Sequence, residues 1–205
     1  MEKLDLKKEF KALYNPPAKE PMMVDVPTMN FLAVDGKGPP DGPDAVAAIE
    51  TLYGVAYTLK FTVKKGPRAI DYSVMPLEGL WWTDNMKEFS ADNKAIWKWT
   101  YMIMQPKQIT TDLVKQAIEE VKRKKNPAAL SKLVFEPFAE GRAGQILYFG
   151  PYSEEGPTIK RLHEFIRAQG MSFDGVKQKH HEIYLGDPRR TAPERLKTII
   201  RQPAV

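Results

Sequence analysis

Apolar and polar positions change period several times along this chain, and each change predicts an element. Val46, Ile49, Tyr53 and Ala56 recur at helical spacing in PPDGPDAVAAIETLYGVAYTLKF. In TTDLVKQAIEEVKRKK, Leu113, Val114, Ala117, Ile118 and Val121 form one stripe of an amphipathic helix. SEEGPTIKRLHEFIRAQG sets Ile159, Leu162, Phe165 and Ile166 on one face, with Gly170 as its stop. TAPERLKTIIRQ opens with Thr191 and Glu194 in capping-box spacing and carries Leu196, Ile199 and Ile200, which predicts a terminal helix. Runs rich in β-branched and aromatic residues predict strands in MNFLAVDGKG, RAIDYSVMPLEGLWW, NKAIWKWTYMIMQP, SKLVFEPF, GRAGQILYFGPY and HHEIYL. EFSADN reads as a turn between two of them.

Two halves share this grammar. AVDGKGPPDGPDAVAAI in the first answers LYFGPYSEEGPTIKRL in the second: a strand closed by a Gly/Pro turn, then a long helix, then more strands. The expectation is an α+β protein of two pseudo-symmetric strand–helix–strand–strand modules, about residues 27–108 and 109–205, on an antiparallel sheet. The lead, residues 1–26, has isolated apolar residues at Leu4, Leu6, Phe10 and Leu13 before NPPAKEP breaks any helix. It reads as a peripheral arm packed loosely on the body.

Alternation in KHHEIYL places His180, Glu182 and Tyr184 on one strand face, with Ile183 and Leu185 on the other. Nearby, Trp97, Trp99, Tyr101 and Ile103 share a face, and Leu80 and Trp82 share one that Trp81 does not. That is more ring surface than one small core absorbs easily, so one face is expected to line an aromatic site. Ring faces attract cations, and a desolvated carboxylate binds positive charge far more strongly than an exposed one. A flat, lipophilic cation satisfies both, with Glu182 and Tyr184 as the polar centre.

Other chemistries lack their residues. His180, His181 and Glu182 mimic a metal cluster, but adjacent strand residues point opposite ways and the remaining histidine, His163, lies on a helix; no metal and no cofactor are expected. There is no nucleophile elbow, phosphate-binding loop or dinucleotide fingerprint. With no cysteine, thiol chemistry and disulfides are excluded. The net charge of +5 comes from basic residues spread along the chain, a solvated surface and not a nucleic-acid footprint. No apolar run has the length of about 20 residues that spans a bilayer, and no signal-peptide segment opens the chain, so a cytoplasmic location is expected.

The segments VDVPTMNFLAVDGKG, MPLEGLWW, WKWTYMIMQP, YFGPYSEEGPTIKRLHEFI and HHEIYLGDPRRTAPERLKTIIRQP resemble the GyrI-like small-molecule-binding family over roughly residues 20–203. The resemblance implies a ligand cleft between two modules. Relatives include the effector domains of multidrug-sensing transcription activators, where a cleft glutamate meets lipophilic cations between aromatic rings, and hydrolases of cyclopropane-bearing DNA-alkylating compounds. Glu182 holds the glutamate's motif position for either role. The implied ligand-binding set is Glu182, Tyr184, Trp82, Trp99, Tyr101 and Phe149, with Trp81 held back. Broad-specificity binding of lipophilic, often cationic, molecules is the first expectation. The alternative is a hydrolase in which Glu182 activates water and Tyr184 positions the substrate. Only about 25 residues precede the resemblance, too few for the DNA-binding region of the regulators, so a stand-alone member is expected.

Overall fold

A computed structural model describes residues 2–67, 69–175, 177 and 179–205. The chain begins with β1 (Glu2–Leu4), two single helical turns α1 (Leu6–Glu9) and α2 (Lys11–Tyr14), and β2 (Met22–Val26). Next come β3 (Met29–Lys37), the long helix α3 (Pro43–Lys65), β4 (Ile70–Tyr72), β5 (Leu77–Trp82) and β6 (Lys98–Gln105). Then follow α4 (Thr111–Lys124), β7 (Val134–Phe138), β8 (Gly141–Phe149), α5 (Gly156–Ala168), β9 (His180–Tyr184) and β10 (Lys197–Pro203). Among the described residues, eight strands form one antiparallel sheet in the order β2-β8-β10-β9-β5-β6-β3-β7, while β1 pairs with β4. The protein is therefore α+β. No described helix is long and apolar enough to cross a membrane.

Most expected elements form where the periodicity put them. Gly170 ends the α5 segment with φ of +74°, which glycine adopts at little cost. The end of the chain differs: residues 197–203 are a strand, and only a short 3-10 turn at Pro193–Arg195 precedes it. Ile199 and Ile200 are both fully buried, but on opposite faces of a strand enclosed between β8 and β9. A strand buried on both sides carries apolar residues without alternation, and here it mimics a helical stripe.

Residues directly opposite in an antiparallel pair share a face, so register fixes which side chains meet. Glu182 lies opposite Gly79 and Ile200, Tyr184 opposite Leu77 and Thr198, and Trp81 opposite His180 and Trp99. One face thus carries Glu182, His180, Tyr184, Trp81, Trp99, Tyr101, Thr198 and Ile200. Helix α5 packs on this face at β8 and β10, with Leu162 and Ile166 against Ile146 and Ile200. Helix α3 packs at β3 and β6, and its Asp44 and Ala47 border the same recess as Trp99. The central strands β9 and β5 lie between the two helices.

The other face is covered by the N-terminal arm, which is anchored more firmly than loose packing would allow. Tyr14 is 3% exposed, and its hydroxyl donates to Glu78 Oε1 at 2.7 Å. Arg201 donates to the Leu13 carbonyl at 2.8 Å and Gln145 to the Ala12 carbonyl at 2.6 Å. Strand β2 joins the sheet beside β8.

Candidate functional site

Glu182 stands on β9 near the middle of the sheet, its side chain 14% exposed. His180 on the same face places Nε2 at 2.8 Å from Glu182 Oε1. The Gln202 amide nitrogen sits 2.5 Å from His180 Nδ1. With the amide donating to Nδ1, the imidazole proton resides on Nε2 and points at the carboxylate. Tyr184 gives Glu182 a second hydrogen bond, and the Trp81 indole donates to the Tyr184 hydroxyl at 2.9 Å. Chains of this kind fix each member's orientation, because every donor is already committed.

The remaining partner is Glu155, at the N-terminal edge of α5 and 3% exposed. Its carboxyl oxygen lies within 4.8 Å of the Glu182 carboxylate and of the His180 ring nitrogen. Two carboxyl groups in contact cannot both ionise, and their surroundings divide the proton between them. Burial and then the neighbouring Glu182 charge push Glu155 well above the ordinary carboxylate range. Burial pushes Glu182 up as well, but the His180 hydrogen bond and charge, with smaller contributions from Tyr184 and Glu155, outweigh it and hold Glu182 low. The result is one carboxylate and one carboxylic acid side by side.

Aromatic rings surround this centre. Trp81 meets Tyr101 edge-on at 5.5 Å and Trp97 at 5.7 Å. Phe89 stacks on Trp97 at 4.4 Å and approaches the His180 ring at 6.4 Å. Tyr152 packs edge-on against Tyr184 at 5.6 Å and is 39% exposed, a partly open edge of the cluster. Phe89 and Trp97 belong to the β5–β6 connection; the sequence read Phe89 as part of a turn and Trp97 as part of the strand that here begins at Lys98. Burial is the first cause that holds the hydroxyls of Tyr101, Tyr152 and Tyr184 protonated, and the Glu182 charge adds to it.

Of the six expected ligand residues, Glu182, Tyr184 and Tyr101 meet in this cluster. Trp99 is 1% exposed and packs behind Tyr101, its ring so close to Gly36 that a Cβ there would lie 2.1 Å away; it supports the wall from the core. Trp82 is on the opposite face, under the Lys179 ammonium at 4.5 Å, and Trp81 takes the place expected of it. Phe149 also points away, 48% exposed at the end of β8 beside Lys197; its neighbour Tyr148 is the residue opposite Thr198. Register explains both corrections, since a one-residue offset exchanges the faces. The sequence reading missed Glu155, Trp81, Tyr152 and Phe89. For Glu155 a signal existed: SEEG, directly before a helix, is adjacent to the YFGPY turn.

Among the described residues, Glu155, His180 and Glu182 are the grouping of His and acidic donors whose atoms lie within 4.8 Å of one another. As arranged, Nε2 of His180 spends its proton on Glu182 and Glu155 holds another.

Comparison with known proteins shows the fold and the family. A crystal structure of a hydrolase from Listeria innocua, encoded by lin2189, is 40% identical over 100% of both chains, with a TM-score of 0.88. A second Listeria innocua structure, also described as a hydrolase, is 38% identical over 98% of this chain and 100% of its own, with a TM-score of 0.86. An uncharacterised conserved protein from the same organism is 39% identical over the same shares, with a TM-score of 0.90. The C-terminal domain of EcmrR shares the fold at 10% identity, a TM-score of 0.53, and coverage of 91% of this chain and 97% of its own. No curated protein matches. The profile of the GyrI-like small molecule binding domain matches residues 19–204, and the chain belongs to that family.

Proposed function

We propose that this protein is a hydrolase of lipophilic, ring-strained electrophiles, the cyclopropane-bearing alkylators above all, and that it detoxifies them in the cytoplasm. The observation that carries this reading is the setting of Glu182: a carboxylate 2.8 Å from His180 Nε2 and within 4.8 Å of the buried Glu155 carboxyl, inside an aromatic enclosure. A carboxylate so held is a poised base for a water molecule, a contribution of about 10²–10⁴ in rate. Aromatic walls exclude bulk water and seat a flat apolar substrate. The hydrolase descriptions of two relatives at 38% and 40% identity support the same reading.

A second reading, sequestration of lipophilic cations, draws on the negative charge among ring faces. A simple counter-ion, however, needs neither the His180–Gln202 pair nor a protonated neighbour. Mass spectrometry of products formed from a cyclopropane-bearing alkylator separates the two. The wild type is expected to release a water-addition product, and Glu182→Gln to bind the compound yet release almost none. A wild type that forms no product but binds a rhodamine-like cation tightly would leave Glu182 a counter-ion.

A further inference from the structure

Glu155 sits where a helix-capping residue would, yet its side chain makes no cap hydrogen bond to α5. A glutamate there ordinarily ionises and satisfies the free N–H groups of the first turn, a contact the helix dipole favours. This one turns instead toward the sheet, its carboxyl within 4.8 Å of the Glu182 carboxylate, where ionisation would bring a second negative charge against the first. Among the described residues, the titratable groups near it are Tyr148 from β8, Tyr152 from the adjoining turn, and His180 and Glu182 from β9. His180 alone among these can carry positive charge, and its Nε2 is turned to Glu182.

Building on the hydrolase reading above, we infer that Glu155 is a second catalytic residue, the general acid of the reaction, paired with Glu182 as base. Opening a strained carbon ring needs an electron sink as well as a nucleophile, and a carbonyl conjugated to the ring supplies it. As the water oxygen bonds to a ring CH₂, a ring C–C bond breaks and its electron pair runs through the conjugated system to the carbonyl oxygen. Glu182 takes a proton from the attacking water, and Glu155 gives its own proton to that carbonyl oxygen, which becomes a hydroxyl. The proton on Glu182 then passes to the neighbouring Glu155, whose carboxyl lies within 4.8 Å, and the pair is restored. One water is consumed, and nothing is oxidised or reduced.

This division of labour gives the pH–rate profile two limbs with separate owners. Activity falls on the acid side as Glu182 takes up a proton, and on the alkaline side as Glu155 loses one. The experiment compares wild type, Glu155→Gln and Glu182→Gln on an uncharged alkylator whose cyclopropane is conjugated to a carbonyl. Binding is read by tryptophan fluorescence, turnover by mass spectrometry across pH, and the protonated carboxyl by its infrared carbonyl band. Glu155→Gln is expected to bind as the wild type does, to turn over about 10²-fold more slowly or worse, and to lose the alkaline limb. The infrared band should be present in the wild type at neutral pH and absent in Glu155→Gln. Turnover within about threefold of wild type, an alkaline limb that survives the substitution, or a missing band in the wild type each overturns the assignment. A wild type that makes no product at all overturns the hydrolase reading, and this inference with it.

Discussion

Gly79 lies opposite Glu182 on the neighbouring strand, and its missing side chain is part of the site. A Cβ there would stand 2.8 Å from the Trp81 indole nitrogen and 3.0 Å from the Tyr184 hydroxyl, the two atoms that hydrogen-bond each other. Gly79→Ala should therefore part that pair and leave Tyr184 less firmly aimed at Glu182. We expect turnover to fall about tenfold or more while the thermal midpoint changes little, since misplacing a catalytic group by about 1 Å can cost 10²-fold. Kinetics beside a thermal melt would check it, and unchanged turnover would remove Tyr184 from the chemistry. At this scale the sequence was half legible. Alternation correctly joined His180, Glu182 and Tyr184, because that property is local. Whether Trp81 or Trp82 joins them depends on how β5 registers against β9, about a hundred residues away in sequence, and no local pattern encodes it.

Among the elements, α5 carries most of the burden, because it fixes Glu155 and also closes one side of the site. It approaches the sheet over Gly144, where a Cβ would come within 2.7 Å of Ile166 Cγ1 and 3.2 Å of Leu162 Cδ1. Gly144→Val should push the helix outward and draw Glu155 away from Glu182. Overpacking of this kind costs about 1–3 kcal/mol. The expected signature is a modest drop in thermal midpoint with a much larger drop in turnover; equal, small losses in both would show that α5 can shift without disturbing the carboxyl pair. Helix periodicity announced α4 and α5 clearly, but in α3, which packs against both α4 and the sheet, the expected stripe missed the buried positions Ala45, Ala48, Leu52, Val55 and Leu59 and included the exposed Val46. It misled at β10, whose two buried faces erase the alternation that marks a half-exposed strand.

Across the whole molecule, the sheet separates the candidate site from a second polar network that serves the fold. His181, on the reverse face of β9, places Nε2 2.9 Å from Glu78 and Nδ1 2.8 Å from Glu140. Arg201 donates to Glu140 at 3.1 Å and to Gln145 at 3.0 Å, and Tyr14 closes the network on Glu78. Strands β5, β9 and β10 and the N-terminal arm thus meet in one set of fully buried charges. The sequence hid it, because its members lie between residues 12 and 201 and only folding brings them together.

Stability should follow the titration of that network. Burial alone would lower the His181 pKa, but the Glu140 charge and the hydrogen bonds to both carboxylates outweigh it and hold the imidazolium up to about 9. An unfolded histidine titrates near about 6.5. The stabilisation is therefore complete below that value and is lost as pH rises through about 9. Burial also raises Glu140, yet the His181 and Arg201 charges overcome it and leave that carboxyl below its ordinary range. Its contribution is present above about 4.3 and disappears as pH falls through the folded value. Urea midpoints of the wild type should hold steady from about pH 5 to 6, fall from about pH 6.5 to pH 9, and level off above that. Glu140→Gln strips one partner from a buried charge set, at a cost of about 3–5 kcal/mol, and should flatten the alkaline fall because the His181 charge loses its main support. A wild-type midpoint that does not move between pH 7.5 and 9.5 would mean that His181 is neutral in the folded protein, and the arm would then be held by packing and neutral hydrogen bonds alone.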